Sequence, residues 1–475
     1  MTSVPRIEPA GLSGASAAPL PWRRARTMLG LSAPVMAVLM AQNLAGLAAL
    51  AMVGRIGIAA VAGVGVAGGV YAMLQAVLYG LDAGVQALVA RRSGAGDAQG
   101  AGAVLNDALA LALGVGLVLA AAAYGLGPAL IGLVVHDPAV IAAAKAYLAA
   151  LTPSLVLLSA AYPIIAYWNG AGVPKFTLLV TVFELPFGVA LTAVLVFGGF
   201  GLPRLGVVGA GLGSTLAALL GLGVHLLLAA KVVRVPGFLA RWPSLEGMLA
   251  VARLGLPISL QQSLLYVGLM IFVGIVARLG AQAMAAGSVL NSLMLVSVLT
   301  ATGVGVAAAT LAGGALGRGD PADARRWGWQ AGWLGVAVVL PFSLALLAAP
   351  RAALGLFVHD PATVALAVWP LRILAAGMAV DAFGRVVGMA LRGTGATRTA
   401  AIVGFLMQWV VQLPLAWWLG VRLGYGLAGV CATQLLFGMA SLAVLAVIWR
   451  GRSWDWTTRA SALGPAMRRT SNPAH

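Results

Sequence analysis

The sequence predicts an all-α polytopic membrane protein of about 12 transmembrane helices. It predicts two homologous six-helix bundles related by a pseudo-two-fold axis along the membrane normal. Three observations carry this. First, 61% of the 475 residues are hydrophobic and only 9% are charged, whereas soluble globular chains carry about 25% charged residues. Second, apolar runs of 18 or more residues recur along the whole chain, each long enough to cross a bilayer core as a helix. Third, the pentapeptide VHDPA occurs twice, at 135–139 and at 358–362, 223 residues apart.

The elements follow in order. Residues 1–26, rich in Pro, Ser, Ala and Gly and ending in WRRAR, read as a disordered tail. Basic residues before an apolar stretch resemble a secretory signal, but the run at 29–53 is too long for a signal core and has a counterpart in the second half. The predicted spans are about 29–53, 58–90, 101–124, 139–168, 175–199 and 206–230 in the first lobe, 27–230. A linker at 231–248 carries Lys231, Arg234, Arg241 and Glu246. The second lobe, 249–450, has spans at 249–277, 282–316, 326–348, 362–391, 398–421 and 424–449, with a tail at 451–475. Several spans exceed the ~20 residues a bilayer requires and are expected to tilt or bend.

The 223-residue offset runs without a gap over a long stretch. Pro34 pairs with Pro257 and Arg55 with Arg278. Gly94, Gly96 and Asp97 pair with Gly317, Gly319 and Asp320, and Gly170 and Gly172 with Gly393 and Gly395. Matched Arg, Asp and Pro are not expected by chance in a chain made mostly of Ala, Gly, Leu and Val. VHDPA precedes the fourth span of each half, so Asp137 and Asp360 are expected to be N-caps followed by Pro at the first helical position. That explanation leaves no chemistry for His136 and His359.

The net charge of +17 does not point to nucleic acid, because the basic residues lie between the apolar runs. With an inside N-terminus, 21 of the 29 Lys and Arg fall on inside segments. Both termini are therefore expected to be cytoplasmic, in a multi-pass protein of the cell (inner or plasma) membrane. Cys431 is the single cysteine, and the four His are scattered without ligand spacing. No nucleophile triad or phosphate loop is visible. An enzyme, a cofactor and a metal site are not expected.

Three stretches carry a resemblance: RLGLPISLQQSL at 253–264, GRGDPADARR at 317–326 and ALRGTGATRTAAIVGFLMQWVVQLPLAW at 390–417. In this order, with twelve spans in two halves, the chain resembles multidrug and toxic compound extrusion (MATE) transporters over about 27–450. The resemblance implies two six-helix lobes facing a central cavity. It also implies export of organic cations and other amphipathic compounds in exchange for H⁺ or Na⁺. The chain departs from the family where many members carry an acid in the first helix, since Ala49 stands there. No acid lies between Arg253 and Asp320, and the family's AAHQ reads AAGS at 285–288. The tenth-helix Asp of the family does have a match, Asp381 in AVDAFG.

Three of the twelve acidic residues lie deep in spans: Asp82, Glu184 and Asp381. At ~1.5 Å per residue from the nearest inside basic residue, all three fall near mid-depth. An ionisable group there is a functional candidate by default. Arg385, one turn from Asp381 on the same helix face, is expected to pair with it. The candidate ion-coupling set is Asp381, Arg385, Glu184 and Asp82. The candidate substrate cavity is Gln42, Asn43, Gln261, Gln262, Tyr266, Asn291, Gln408, Trp409 and Gln412, where amides either join helices or face water. Trp168, Trp417 and Trp418 are further aromatic candidates, the last two at a span end where interfacial anchoring is common.

The function expected is a secondary-active efflux antiporter acting on a small molecule, in a lipid bilayer, as a monomer. A lipid-linked precursor flippase is the alternative within transporters. It would want a strongly cationic cavity, and only Arg385 is convincingly deep in the sequence. A non-transporting scaffold or sensor would need an extramembrane domain, and no loop is long enough.

Overall fold

Apolar stretches separated by short Gly, Asp and Pro turns fold as helices almost throughout. The structure is a computed structural model and describes residues 21–451 apart from 200 and 359. The first lobe holds α1 (Pro21–Gly54), α2 (Ile58–Gly94), α3 (Ala98–Val134), α4 (Pro138–Leu151), α5 (Pro153–Gly170), α6 (Lys175–Phe197) and α7 (Val207–Leu227). The second holds α8 (Leu245–Ala277), α9 (Ala281–Gly317), α10 (Pro321–Ala348), the short α11 (Pro350–Gly355), α12 (Pro361–Gly393), α13 (Thr397–Leu406), α14 (Leu413–Trp417) and α15 (Gly426–Arg450). Helices α13 and α14 belong to one span, Thr397–Arg422, interrupted by π-helical turns at Met407–Gln412 and Trp418–Arg422.

Among the described residues, eleven helices are long and apolar enough to cross a membrane, and twelve spans result if α4 and α5 are one bent span. The span expected at 139–168 is therefore broken, by 43°. Pro153 supplies the cause, because proline lacks the N–H that would continue the ladder of hydrogen bonds. Its repeat partner is Ala376, and α12 runs unbroken through that position. Two boundaries also move. Helix α1 begins at Pro21, so residues 21–26, read as tail, are helical. Helix α8 begins at Leu245 with Ser244 as its cap, so the linker is shorter than 231–248. Residues 1–20 and 452–475 lie outside the described residues.

The repeat is visible in the turns. Gly96 and Gly319 each have φ 78°, a left-handed conformation that only glycine adopts without strain. The next residue caps the following helix in both halves: Asp97 accepts from Gly100 N at 2.7 Å and Asp320 from Asp323 N at 2.8 Å. The VHDPA carboxylates are N-caps as expected. Asp137 accepts from Ala139 N at 2.8 Å, and Asp360 from Thr363 N at 3.0 Å and from the Thr363 hydroxyl at 2.5 Å. These bonds stabilise the ionised form and hold the Asp360 carboxyl below the usual carboxylate range. His359 is one of the residues not described.

Packing obeys the same symmetry. Helix α1 packs on α9 of the other lobe, and its repeat partner α8 packs on α2. Small residues permit the approach. A Cβ on Gly80 or Gly84 of α2 would run into α8 at Ser259 and Gly255 or at Val251. Near the end of the bundle that carries Arg91, Arg318 and Arg392, Gly94 lies against Gly314 and Gly317 against Arg91. Gln86 of α2 adds a buried polar link, donating to Val306 O at 3.0 Å and Thr310 Oγ1 at 3.1 Å on α9. The lobes are thus closed on each other in this basic half. Toward the opposite end packing thins: between Gln42 and Gly57 only Val53 is buried. The first lobe's core centres on Leu78, Leu105, Leu155 and Trp168, and the second lobe has two clusters, one around Leu311, Val386 and Trp449 and one around Leu371. Large apolar side chains such as Leu117, Leu133, Trp333, Trp369 and Val447 face outward, as a lipid-facing surface requires.

Candidate functional site

Asp381 and Arg385 sit in the middle of α12, which packs against α9, α10 and α15. Spacing of four residues puts both on one face. Arg385 donates to Asp381 Oδ2 from Nη2 at 3.0 Å and from Nε at 3.3 Å. The Asp381 side chain is 12% exposed and that of Arg385 32%. Asp381 lines a small pocket between α9, α12 and α15 with Met294, Ser297, Gly377, Met378 and Gln434. Gly438 of α15 lies 3.7 Å from the Asp381 backbone when given a Cβ, so the helices meet closely there. The pocket thus holds a carboxylate whose Oδ2 is engaged by a cation, with a hydroxyl and an amide nearby. Ser297 and Gln434 were not singled out by sequence, since neither is charged and they lie on separate helices.

The amide candidates divide. Gln412 donates to Gln434 Oε1 at 2.5 Å, which ties it to the Asp381 pocket. Gln408 donates to Leu265 O of α8 at 3.0 Å, and Gln261 of α8 accepts from Arg392 at 3.2 Å. Small residues seat both amides, as Gly268 lies against Gln408 and Gly404 against Gln261. These two glutamines join helices. Trp409 stacks on Phe405 at a centroid distance of 5.9 Å. Gln42 and Asn291 are exposed, whereas Asn43 and Gln262 are half-buried. Tyr266 is half-buried on α8, near Tyr79 of α2. Trp168 is a core residue rather than a stacking surface: it is fully buried and donates to His225 Nδ1 at 3.3 Å. Trp417 and Trp418 are 44% and 48% exposed at their span end.

The three deep acids are not brought together. Glu184 of α6 packs its carboxylate against Gly221 of α7, where a Cβ would stand 2.6 Å from Oε2. Asp82 lies on α2, with Oδ1 cut off from solvent and without a hydrogen-bond partner. No group of three or more His, Cys, Asp or Glu that could hold a metal ion occurs among the described residues.

Two polar clusters at the basic end escaped the sequence reading. Asp107, which is not among the three deep acids, is nonetheless buried on α3 and holds the interlobe connection. It accepts from Arg241 Nη2 at 2.6 Å and Ser244 N at 2.7 Å, while neighbouring Asn106 donates to Gly237 O at 2.9 Å. In the other lobe, Asp323 of α10 is ion-paired with Arg24 of α1 and with Arg318 at 3.1 Å. Partial burial lowers the readiness of Arg318 to hold its proton relative to a free guanidinium.

The MatE family model matches this chain twice, at residues 34–194 and 257–418, with starts offset by the same 223 residues as the repeat. The chain belongs to the MatE family. It is 32% identical over 366 residues to the probable multidrug resistance protein NorM of Bradyrhizobium diazoefficiens, covering 74% of this chain and 77% of that one. It is 28% identical to the probable multidrug resistance protein NorM of Pseudomonas putida, over 89% of this chain and 93% of the relative. Among solved structures, a crystal structure of MATE in the straight conformation superposes with a TM-score of 0.83 at 21% identity, covering 93% of this chain and 97% of that one. An outward-facing multidrug resistance MATE family transporter superposes with a TM-score of 0.81 at 21% identity, over 93% and 96%. These likenesses establish a MatE fold of two six-helix lobes in a multi-pass membrane protein.

Proposed function

We propose that this MatE chain is a secondary-active exporter of small amphipathic organic compounds. In this reading it works from the inner membrane, as a monomer, with both termini in the cytoplasm. Export is driven by H⁺ or Na⁺ entering in exchange. The observation that carries the reading is the Asp381–Arg385 pair at mid-depth of α12, beside the pocket between α9, α12 and α15. Oδ2 is held by Arg385, which leaves Oδ1 without a hydrogen-bond partner among the described residues. An entering ion at Asp381 competes with Arg385 for the carboxylate. Arg385 then turns to another acceptor, and helix packing around α12 changes with it. Since the ion binds one arrangement better than the other, it shifts the population of lobe arrangements. The basic half, closed through Gly80, Gly94 and Gly317, then opens as the other half closes. The relatives' description as multidrug resistance proteins supports the substrate class.

The test is export of ethidium by purified protein in proteoliposomes, with an imposed pH gradient in one arm and a sodium gradient in the other. Gradient-dependent movement in either arm is expected. Movement in neither arm, by protein that still binds ethidium, contradicts the reading.

A further inference from the structure

Asp82, like Glu184, is a deep acid for which the Asp381 scheme has no use. Asp82 is half-buried as a residue, but its Oδ1 is sealed from solvent and has no hydrogen-bond donor. No ion pair to it occurs among the described residues, in contrast to Asp381. Its titratable neighbours are Tyr79 on its own helix and Tyr162 on α5. Tyr266 of α8, in the other lobe, is a further titratable neighbour of Tyr79. The Tyr79 and Tyr162 rings meet edge to face at 5.7 Å. Gln75 donates to the Tyr162 hydroxyl at 3.1 Å.

The repeat shows what is distinctive here. Tyr162 is the partner of Arg385 at the 223-residue offset. In the second lobe that position supplies a guanidinium to a carboxylate. In the first it supplies a neutral hydroxyl. An ionised oxygen with neither donor nor counter-charge inside a membrane bundle is strongly disfavoured. A proton removes the charge. Tyrosine hydroxyls, each donor and acceptor at once, can turn to receive it or pass it on.

The cluster also spans the two lobes. Tyr266 belongs to α8, and α8 is fixed to α2 beside Asp82 by Ser259 Oγ, which donates to Val77 O at 2.6 Å. Rearrangement of the lobes must part α8 from α2 and carry Tyr266 away from Tyr79. We propose that Asp82 is a proton-binding site served by the Tyr266–Tyr79–Tyr162 hydroxyls, loaded while α8 is closed on α2 and discharged when they part. This rests on the reading of the chain as an ion-coupled exporter and adds a first-lobe site to it.

Infrared difference spectroscopy of the full chain in liposomes tests the site without any transported compound. The wild type is expected to show a protonated-carboxyl carbonyl band that Asp82→Asn removes and Asp381→Asn retains. Tyr79→Phe and Tyr162→Phe are each expected to shift that band, which keeps the test sharp should Asp82→Asn fold poorly. A band unchanged in Asp82→Asn overturns the proposal, as does no carboxyl band in the wild type, or an unshifted band in both tyrosine variants. Absence of ethidium export with the band intact would sink the exporter reading and leave the proton site standing. Gradient-driven export without the band would do the reverse.

Discussion

Arg24 of α1 and Asp323 of α10 form an ion pair between the two lobes, with side chains 6% and 18% exposed. The pair is embedded in further contacts. The Arg24 guanidinium lies 4.2 Å from the centroid of the Trp327 ring and donates to Gln330 Oε1 at 3.0 Å. Trp327 Nε1 donates to Asp323 Oδ2 at 2.9 Å. On the pseudo-symmetric side, Arg241, just before α8, is bound to Asp107 of α3. The first helix of each lobe is thus tied at its entrance to the third helix of the other. Both ties lie at the basic end, where the lobes are closed.

Arg24→Ala should therefore loosen that end. Asp323 keeps Arg318 and Trp327 Nε1, but the variant loses the ion pair, the Gln330 hydrogen bond and the Trp327 ring contact, at least about 2 kcal/mol. The check is the rate at which a membrane-impermeant maleimide labels Ala315→Cys, a fully buried position on α9, in a Cys431→Ala background. Labelling several-fold faster with Arg24→Ala is expected. An unchanged rate would show that the tie does not hold the closed arrangement.

Asp107→Ala should be more damaging than its position near a span end suggests. It leaves the Ser244 N–H without its acceptor and takes the carboxylate from Arg241, which keeps only the Trp242 and Ala103 carbonyls, at a cost of about 1–3 kcal/mol. Thermal unfolding in detergent should show the loss, with Asn at the same position recovering part of it.

Asp360→Ala should lower the melting temperature by a few degrees at neutral pH and leave ethidium export per folded molecule unchanged, because the residue is a cap. The sign of its pH dependence follows from the Thr363 bonds. They hold the folded carboxyl below its unfolded value, which is about 3.9. The contribution is present above that value and is lost as pH falls through the folded one. The gap between wild type and variant should be constant from neutral pH to about pH 5 and close in stronger acid. Abolished export at normal expression would overturn the structural reading of VHDPA.

Much of this fold was legible in the chain itself, because caps and turns are local. Asp97, Asp137, Asp320 and Asp360 cap helices for reasons written within four residues of each. The 223-residue offset then doubles every such inference, and the Asp381–Arg385 pair was readable because it lies within one helical turn. The break at Pro153 needed only the comparison with Ala376. What sequence does not carry is contact between distant helices. Arg24 and Gln330 are 306 residues apart. Nothing near Asp82 announces Tyr162 or Tyr266, and Trp168 gives no sign that His225 occupies its indole N–H.

Arg385→Lys separates charge from geometry at the second-lobe site. Lysine keeps the charge but cannot offer the two fixed donors that both reach Asp381 Oδ2. Gradient-driven export should fall to a level between those of the wild type and Asp381→Asn, with ethidium binding retained. Equality with Asp381→Asn would mean that the fork, not the charge, is what the cycle requires.

The most direct measurement is gradient-driven ethidium export by Asp381→Asn beside the wild type, in proteoliposomes matched for folded protein. Asparagine preserves the shape and removes the charge that attracts Arg385 and the entering ion. The expected result is a tenfold or greater loss of gradient-driven export with ethidium binding intact. Undiminished gradient-driven export by the variant would contradict the assignment of coupling to Asp381.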